Sequence, residues 1–174
     1  MSIHATPVGS APQMPPGLIE DLLSGKVPNH VHAYIRRAAT GEIEDLGISE
    51  NLRTTVGADW QAESMGKTAS RPAVADYIAL TTNATAPAAG DTTLTGEIAS
   101  GGLSRAQGTF SHTNGTTSYK ISFTFTATAA HTAVAKAGLF NAASTGTMAF
   151  ETLLSSTATL AINDTLTIEW TINI

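Results

Sequence analysis

Tyr119-Lys120-Ile121-Ser122-Phe123-Thr124-Phe125-Thr126 is the stretch that decides the fold class. Apolar and polar residues alternate strictly, so Tyr119, Ile121, Phe123 and Phe125 fall on one face and Lys120, Ser122, Thr124 and Thr126 on the other. A period of two belongs to a half-buried β-strand, whose successive side chains point to opposite sides of the pleat. The end of the chain repeats the pattern: Leu166, Ile168, Trp170 and Ile172 point inward, and Thr167, Glu169, Thr171 and Asn173 outward. Asn163-Asp164 supplies the turn before that strand, and Asn114-Gly115 is the strongest short hairpin signal in the chain. Further strands are expected over 77–81, 103–112, 132–140 and 147–154, with the alternating strands running over 118–128 and 165–174. Short strands with turn residues between them predict a mainly β fold, an antiparallel β-sandwich of jelly-roll-like or Ig-like type. Outward threonines suit the pleat but leave flat, uncharged faces that need cover.

Upstream the pattern changes. Val31, Ala33 and Ile35 alternate with His32, Tyr34 and Arg36, and Gly41 can take the positive φ of a turn, so 31–48 reads as a hairpin. A helix follows over 55–65, with Val56, Trp60 and Met65 marking its buried side and Gly66 ending it. Residues 67–75 read as a polar linker containing Pro72. Residues 1–28 are different again, with prolines at 7, 12, 15, 16 and 28. They read as an extended N-terminal arm with one short helix, in which Leu18, Ile19, Leu22 and Leu23 share a face and Gly25 is the cap. Two helical turns are not stable alone, so that stripe needs something to pack on. The expected layout is an arm over 1–28 and a single sandwich domain over 29–174, in which 29–76 form the hairpin and helix and 77–174 the main strands.

Composition narrows the function. Charged residues make up 13% of the 174-residue chain, about half the usual ~25%. A surface so poor in charge is poorly protected against association, which points to partners covering it. The net charge of −5 argues against nucleic-acid binding through phosphate neutralisation. There is no cysteine, which removes disulfides and thiolate metal sites. No apolar run is long enough for a transmembrane helix, and the start of the chain has no basic-then-apolar signal pattern, so synthesis in the cytoplasm and no membrane partner are expected.

No residue pattern announces catalysis. Gly66-Lys67-Thr68 looks like the end of a phosphate-binding loop, but the glycine that motif requires upstream is replaced by Gln61. His30 and His32 share a strand face, with Glu42 and Glu44 expected on the facing strand, yet a zinc site wants three or four ligands. Surface histidines at a strand start are the simpler account. Ser104, His112 and Asp91 stand in no nucleophile motif. The chain is therefore read as no enzyme, with no cofactor and no metal. A sugar-binding module is a further reading, set back by aromatics that make up 6% of the chain and fall mostly at predicted core positions.

The most distinctive segment is Tyr77 to Ile98, YIALTTNATAPAAGDTTLTGEI. It opens as a strand and becomes a loop too long for a simple turn. Loops of that length are usually functional or partner-bound, which makes Thr85, Pro87, Asp91 and Leu94 candidate contact residues beside Leu18, Ile19, Leu22 and Leu23. Tyr77-Ile-Ala-Leu80, Thr85-Ala-Pro-Ala-Ala-Gly-Asp-Thr-Thr-Leu94, Glu97-Ile98, Arg105-Ala106 and Ala137-Gly-Leu-Phe-Asn-Ala-Ala143 occur in this order, after Asn51-Leu-Arg-Thr-Thr-Val-Gly-Ala-Asp-Trp60. The series resembles small structural proteins of tailed-bacteriophage particles, over roughly 31–174. Lys136 stands where that group often has Glu, and Thr81-Thr82-Asn83 replaces a Gly-Thr-Gly turn. The resemblance implies a virion component. The first reading is a capsid decoration (cement) protein bound to the major capsid protein or other virion proteins, as a homo-oligomer such as a trimer. The second is a tail or neck component, a fibre or adaptor subunit. The third is a host-glycan-binding module.

Overall fold

The computed structural model describes residues 29–174, so the arm and its Leu18, Ile19, Leu22 and Leu23 lie outside the described residues. Ten strands and one helix follow in the order β1 (His30–Arg36), β2 (Ile43–Glu50), β3 (Leu52–Arg53), α1 (Thr55–Gly66), β4 (Tyr77–Thr81), β5 (Ala106–Gln107), β6 (Thr109–His112), β7 (Ser118–Thr126), β8 (His131–Phe140), β9 (Met148–Leu160) and β10 (Thr165–Asn173). Two five-stranded antiparallel sheets form, ordered β2-β1-β10-β7-β6 and β3-β9-β8-β4-β5. This is the predicted mainly β sandwich.

The alternating stretches sit where their patterns need them. β10 is the centre of the first sheet, pairing Trp170 with Val31 on β1 and with Ile121 on β7. Val31, Ala33, Ile35, Ile121, Phe125, Leu166, Ile168, Trp170 and Ile172 are buried on the inner face. Ile78, Leu80, Leu139 and Phe150 meet them from the second sheet, and the Phe150 and Trp170 rings lie 6.3 Å apart across the core. On the outer face of the first sheet, the Thr124 and Thr167 hydroxyls bond at 2.8 Å and Lys120 pairs with Glu169 at 2.6 Å. Thr167 and Thr171 point outward yet are buried, because neighbours on both sides flank the central strand.

The turns follow their residues. Gly41 and Gly115 have φ of 72° and 87°, and Asn163 takes 70°. The Asn114-Gly115 connection is longer than a two-residue hairpin: a turn closed by Thr116 N–H donating to Thr113 O (3.1 Å) lies between paired His112 and Tyr119. The strand expected over 103–112 is broken at Gly108, where the chain leaves β5 in one sheet and enters β6 in the other. A Cβ there would lie 2.7 Å from Ile121 Cγ2, so only glycine passes.

The helix departs from its sequence reading. Val56 and Trp60 are half-buried, and Trp60 packs on the core. Met65, expected on the buried side, is 74% exposed. Gly66 lies inside the helix rather than in a left-handed cap, and Lys67 caps it with its N–H on Glu63 O. The helix seats through Gly57 instead. Thr54 caps the start, accepting from Gly57 N–H at 2.9 Å and donating to Met148 O at 2.5 Å. A Cβ on Gly57 would come within 2.1 Å of Ala149 O, so backbone packs on backbone, a contact no apolar stripe would announce.

Candidate functional site

The long connection between β4 and β5 forms a third layer over the outer face of the second sheet. Along β4, Ile78 and Leu80 face the main core while Ala79 faces out. Ala79 pairs with Gly138 on β8, and these two small residues make a floor on which Leu94, Phe140 and Met148 cluster. The loop is fastened by its own polar atoms. Ile98 N–H donates to Leu80 O at 2.8 Å, and the Thr81 hydroxyl meets Thr95 O and Gly96 O at 2.8 and 2.9 Å. Asn83 accepts from Thr85 N–H, Asp91 accepts from Ala88 N–H, and Thr55 N–H at the helix start donates to Ala89 O. Arg105 closes the far end: it grips Glu97 with two bonds of 2.9 and 2.5 Å, donates to Ala142 O and Thr145 O, and stacks 3.7 Å over the Phe140 ring.

Beneath this layer lies an ion pair. Lys136 Nζ donates to Glu151 Oε1 at 2.8 Å, and the two residues are 4% and 1% exposed. They project from β8 and β9 on the same outer face, and Asp91 comes down on them from the loop. Among the described residues Glu151 Oε2 finds no donor. Burial raises the Glu151 carboxyl above its ordinary range; Lys136 opposes this and Asp91 adds to it. The Asp91 carboxyl is held below its range, first by Ala88 N–H and then by Glu151.

The four loop residues singled out from sequence therefore have different places. Thr85 is exposed and Pro87 half-buried, beside Leu153 and Leu154. Asp91 is a link between loop and sheet. Leu94 is 4% exposed, and its side chain packs inside the protein.

A second feature had only a faint sequence signal. A groove of about 350 Å³ opens between α1, the segment 71–76 and the β6–β7 edge. Trp60, Arg71, Asp76, Phe110, Tyr119 and Ile121 line it. The Trp60 indole N–H donates to Ala73 O at 2.8 Å, which ties the segment to the helix. Tyr119 and Phe110, whose centroids lie 5.6 Å apart, form its aromatic wall. The alternation of Tyr119 with Ile121 could have flagged that wall, but the closing segment was legible only as a polar linker.

The histidines and the phosphate-loop remnant resolve simply. His32 Nε2 contacts Asp45 Oδ1 at 2.9 Å. Glu44 lies on the facing strand β2 as expected, but opposite Ile35 and paired with Arg37, and Glu42 precedes β2; His30 and His32 sit opposite Glu50 and Ile48. Lys67 pairs with Glu63 at 2.8 Å across one helical turn. Among the described residues no group of three or more His, Asp or Glu is arranged to hold a metal, and no helix is long and apolar enough to cross a membrane.

A family model described as podophage GP4 fiber I protein gp80 matches residues 52–171, from β3 into β10. No curated protein and no solved structure matches.

Proposed function

The chain belongs to the podophage GP4 fiber I protein gp80 family, and we propose that this tailed-phage virion structural protein serves as a subunit of a fibre. The family match carries the reading, since its description names a fibre protein and it spans the helix, the long loop and both sheets. The protein works by contact rather than by chemistry. The threonine-rich outer face of the first sheet, on which Lys120 and Glu169 neutralise each other, suits packing against further copies, as in a trimer, where ionic repulsion would otherwise oppose association.

In this account the loop surface around Thr85, Pro87 and Asp91 meets other virion proteins, with Leu94 holding it from below. Leu18, Ile19, Leu22 and Leu23 fasten the arm to the particle. Burying four such side chains could contribute several kcal/mol, at about 1.5–3 each before ordering costs. Repeated copies then convert modest contacts into firm attachment. The capsid-decoration reading shares these parts and differs in position and copy number. Deleting residues 1–28 tests the arm: the sandwich should fold with an unchanged circular-dichroism spectrum and no longer co-sediment with particles. Full co-sedimentation of the deletion variant would rule the arm out as the attachment.

A further inference from the structure

Two large apolar side chains that the described residues leave in water line the same groove beside α1. Phe110, on the edge strand β6, is 62% exposed, and Val74, on the segment that closes the groove, is 67% exposed. Apolar groups held side by side in water forfeit the gain of burial and mark a contact surface. Tyr119 stands beside Phe110, and Trp60, tied to Ala73, completes the aromatic lining. At about 350 Å³ the space takes a few side chains of one short segment rather than a folded module.

The chain carries such a segment. The short helix expected in the arm presents Leu18 with Leu22 and Ile19 with Leu23, the i, i+4 spacing by which a helix lies in an apolar groove. The arm joins the sandwich in the right place. Asn29 leads into β1, where His30 sits opposite Thr171; one residue further along β10, Ile172 sits opposite Tyr119 of β7, which in turn pairs with His112 of β6. The arm therefore leaves the first sheet at the end that holds the groove, three strand spacings away, or roughly 14 Å. Leu23 precedes Asn29 by six residues, a tether of about 20 Å when extended. Charge agrees: Glu20 and Asp21 lie between the two apolar pairs, and the exposed Arg71 stands on the groove's lining. The recess beside Pro87 and Leu153 carries Glu50 instead and would meet those acids with like charge.

We infer that the groove is the seat of the Leu18–Leu23 stripe of a neighbouring copy, so that subunits are joined head to tail by exchanged arms. The inference rests on the arm attachment proposed above and names its partner, since a stripe turned back on its own subunit would fasten nothing. In a closed ring such as a trimer, each arm meets the next copy's groove at the same level, and every stripe and every groove is filled. The stripe packs on Phe110, Tyr119 and Val74, and Glu20 and Asp21 face Arg71.

The test uses the absence of cysteine from the chain, so that introduced thiols report alone. Full chains carrying Ser24→Cys in the arm and Val74→Cys in the groove are co-expressed with tags of different size and treated with a short bismaleimide. A covalent species containing both variants should appear on a denaturing gel. Thr40→Cys, in the turn at the far end of β1, takes the place of Val74→Cys as the control and should give none. Phe110→Ser, at a position largely in water, should keep the wild-type melting temperature and weaken the association about tenfold. No interchain product, an equal product from the Thr40→Cys control, or a chain with both Ser24→Cys and Val74→Cys that closes only on itself overturns the inference. Co-sedimentation of the arm deletion reports whether the arm attaches at all, and the cross-link reports where its stripe sits. Loss of co-sedimentation without an interchain product therefore leaves the attachment standing and removes the groove as its seat.

Discussion

Lys136→Met separates the buried ion pair from the loop above it. The methionine keeps most of the volume and removes the charge, leaving Glu151, 1% exposed, without its counter-ion. Breaking a buried pair from one side typically costs about 3–5 kcal/mol. For a chain of this size that corresponds to a melting-temperature loss of roughly 6–20 °C. The loss should depend on pH. Burial raises the folded-state Glu151 carboxyl above its unfolded value, and Asp91 adds to that rise. Such a group contributes its stability fully below the unfolded pKa and loses it as pH rises through the folded pKa. Without Lys136 the folded pKa rises further, so the gap between variant and wild type should widen from acid to neutral pH. The assay is thermal unfolding by circular dichroism across that range, with Lys136→Met/Glu151→Leu as the paired control. Replacing both partners should restore most of the stability, because the costly state is the single unpaired charge. A single variant within about 1 kcal/mol of wild type at neutral pH, or a gap independent of pH, would falsify the claim that this pair is a desolvated ionic contact sealed by the loop.

Three further predictions address the frame around the loop. Gly57→Ala forces a Cβ against Ala149 O and should lower stability by about 1–3 kcal/mol or more, seen as a lower denaturation midpoint and loss of the Trp60 near-ultraviolet signal. Asp164→Ala removes the acceptor for Ala38 and Ala161 N–H and the partner of Arg37, at about 2–4 kcal/mol by chemical denaturation. The Asp164 carboxyl is depressed, first by Ala38 N–H and then by Arg37, so its contribution is present above the unfolded pKa and fades as pH falls; the acid limb of the wild-type stability curve should flatten in the variant. Arg105→Ala should speed hydrogen exchange at Ile98 N–H, whose bond to Leu80 O lies next to the Glu97 clasp, while leaving the amides of β10 protected.

The strands were readable because each carries a local pattern. Tyr119 to Thr126 and Leu166 to Ile172 alternate without interruption, and burial follows the alternation at Ile121, Phe125, Leu166 and Trp170. The switch of sheets at Gly108 was not readable, since a glycine inside a strand pattern marks a bulge, a close approach or a crossing alike. The helix was found at 55–65, but its cap and its seat were misread: Gly66 lies inside it, and Met65 fits an apolar face by spacing, whereas contact with β9 is made through the missing side chain of Gly57. The loop within Tyr77 to Ile98 was recognised as unusual, yet its layer depends on residues far apart in the chain. Nothing near Asp91 announces Lys136 or Glu151, which β8 and β9 bring beneath it. The aromatic groove was hidden for the same reason, because Trp60, Asp76, Phe110 and Tyr119 meet only after both sheets have formed.

The central claim, that this family member is a fibre subunit of the virion, is tested most directly by an asymmetric cryo-electron-microscopy reconstruction of the intact particle into which residues 29–174 are fitted. The account predicts that the two-sheet sandwich accounts for density in a projecting fibre, in a small symmetric set of copies. Copies spread as a coat across the capsid shell, or no density matching the sandwich anywhere on the particle, would contradict it.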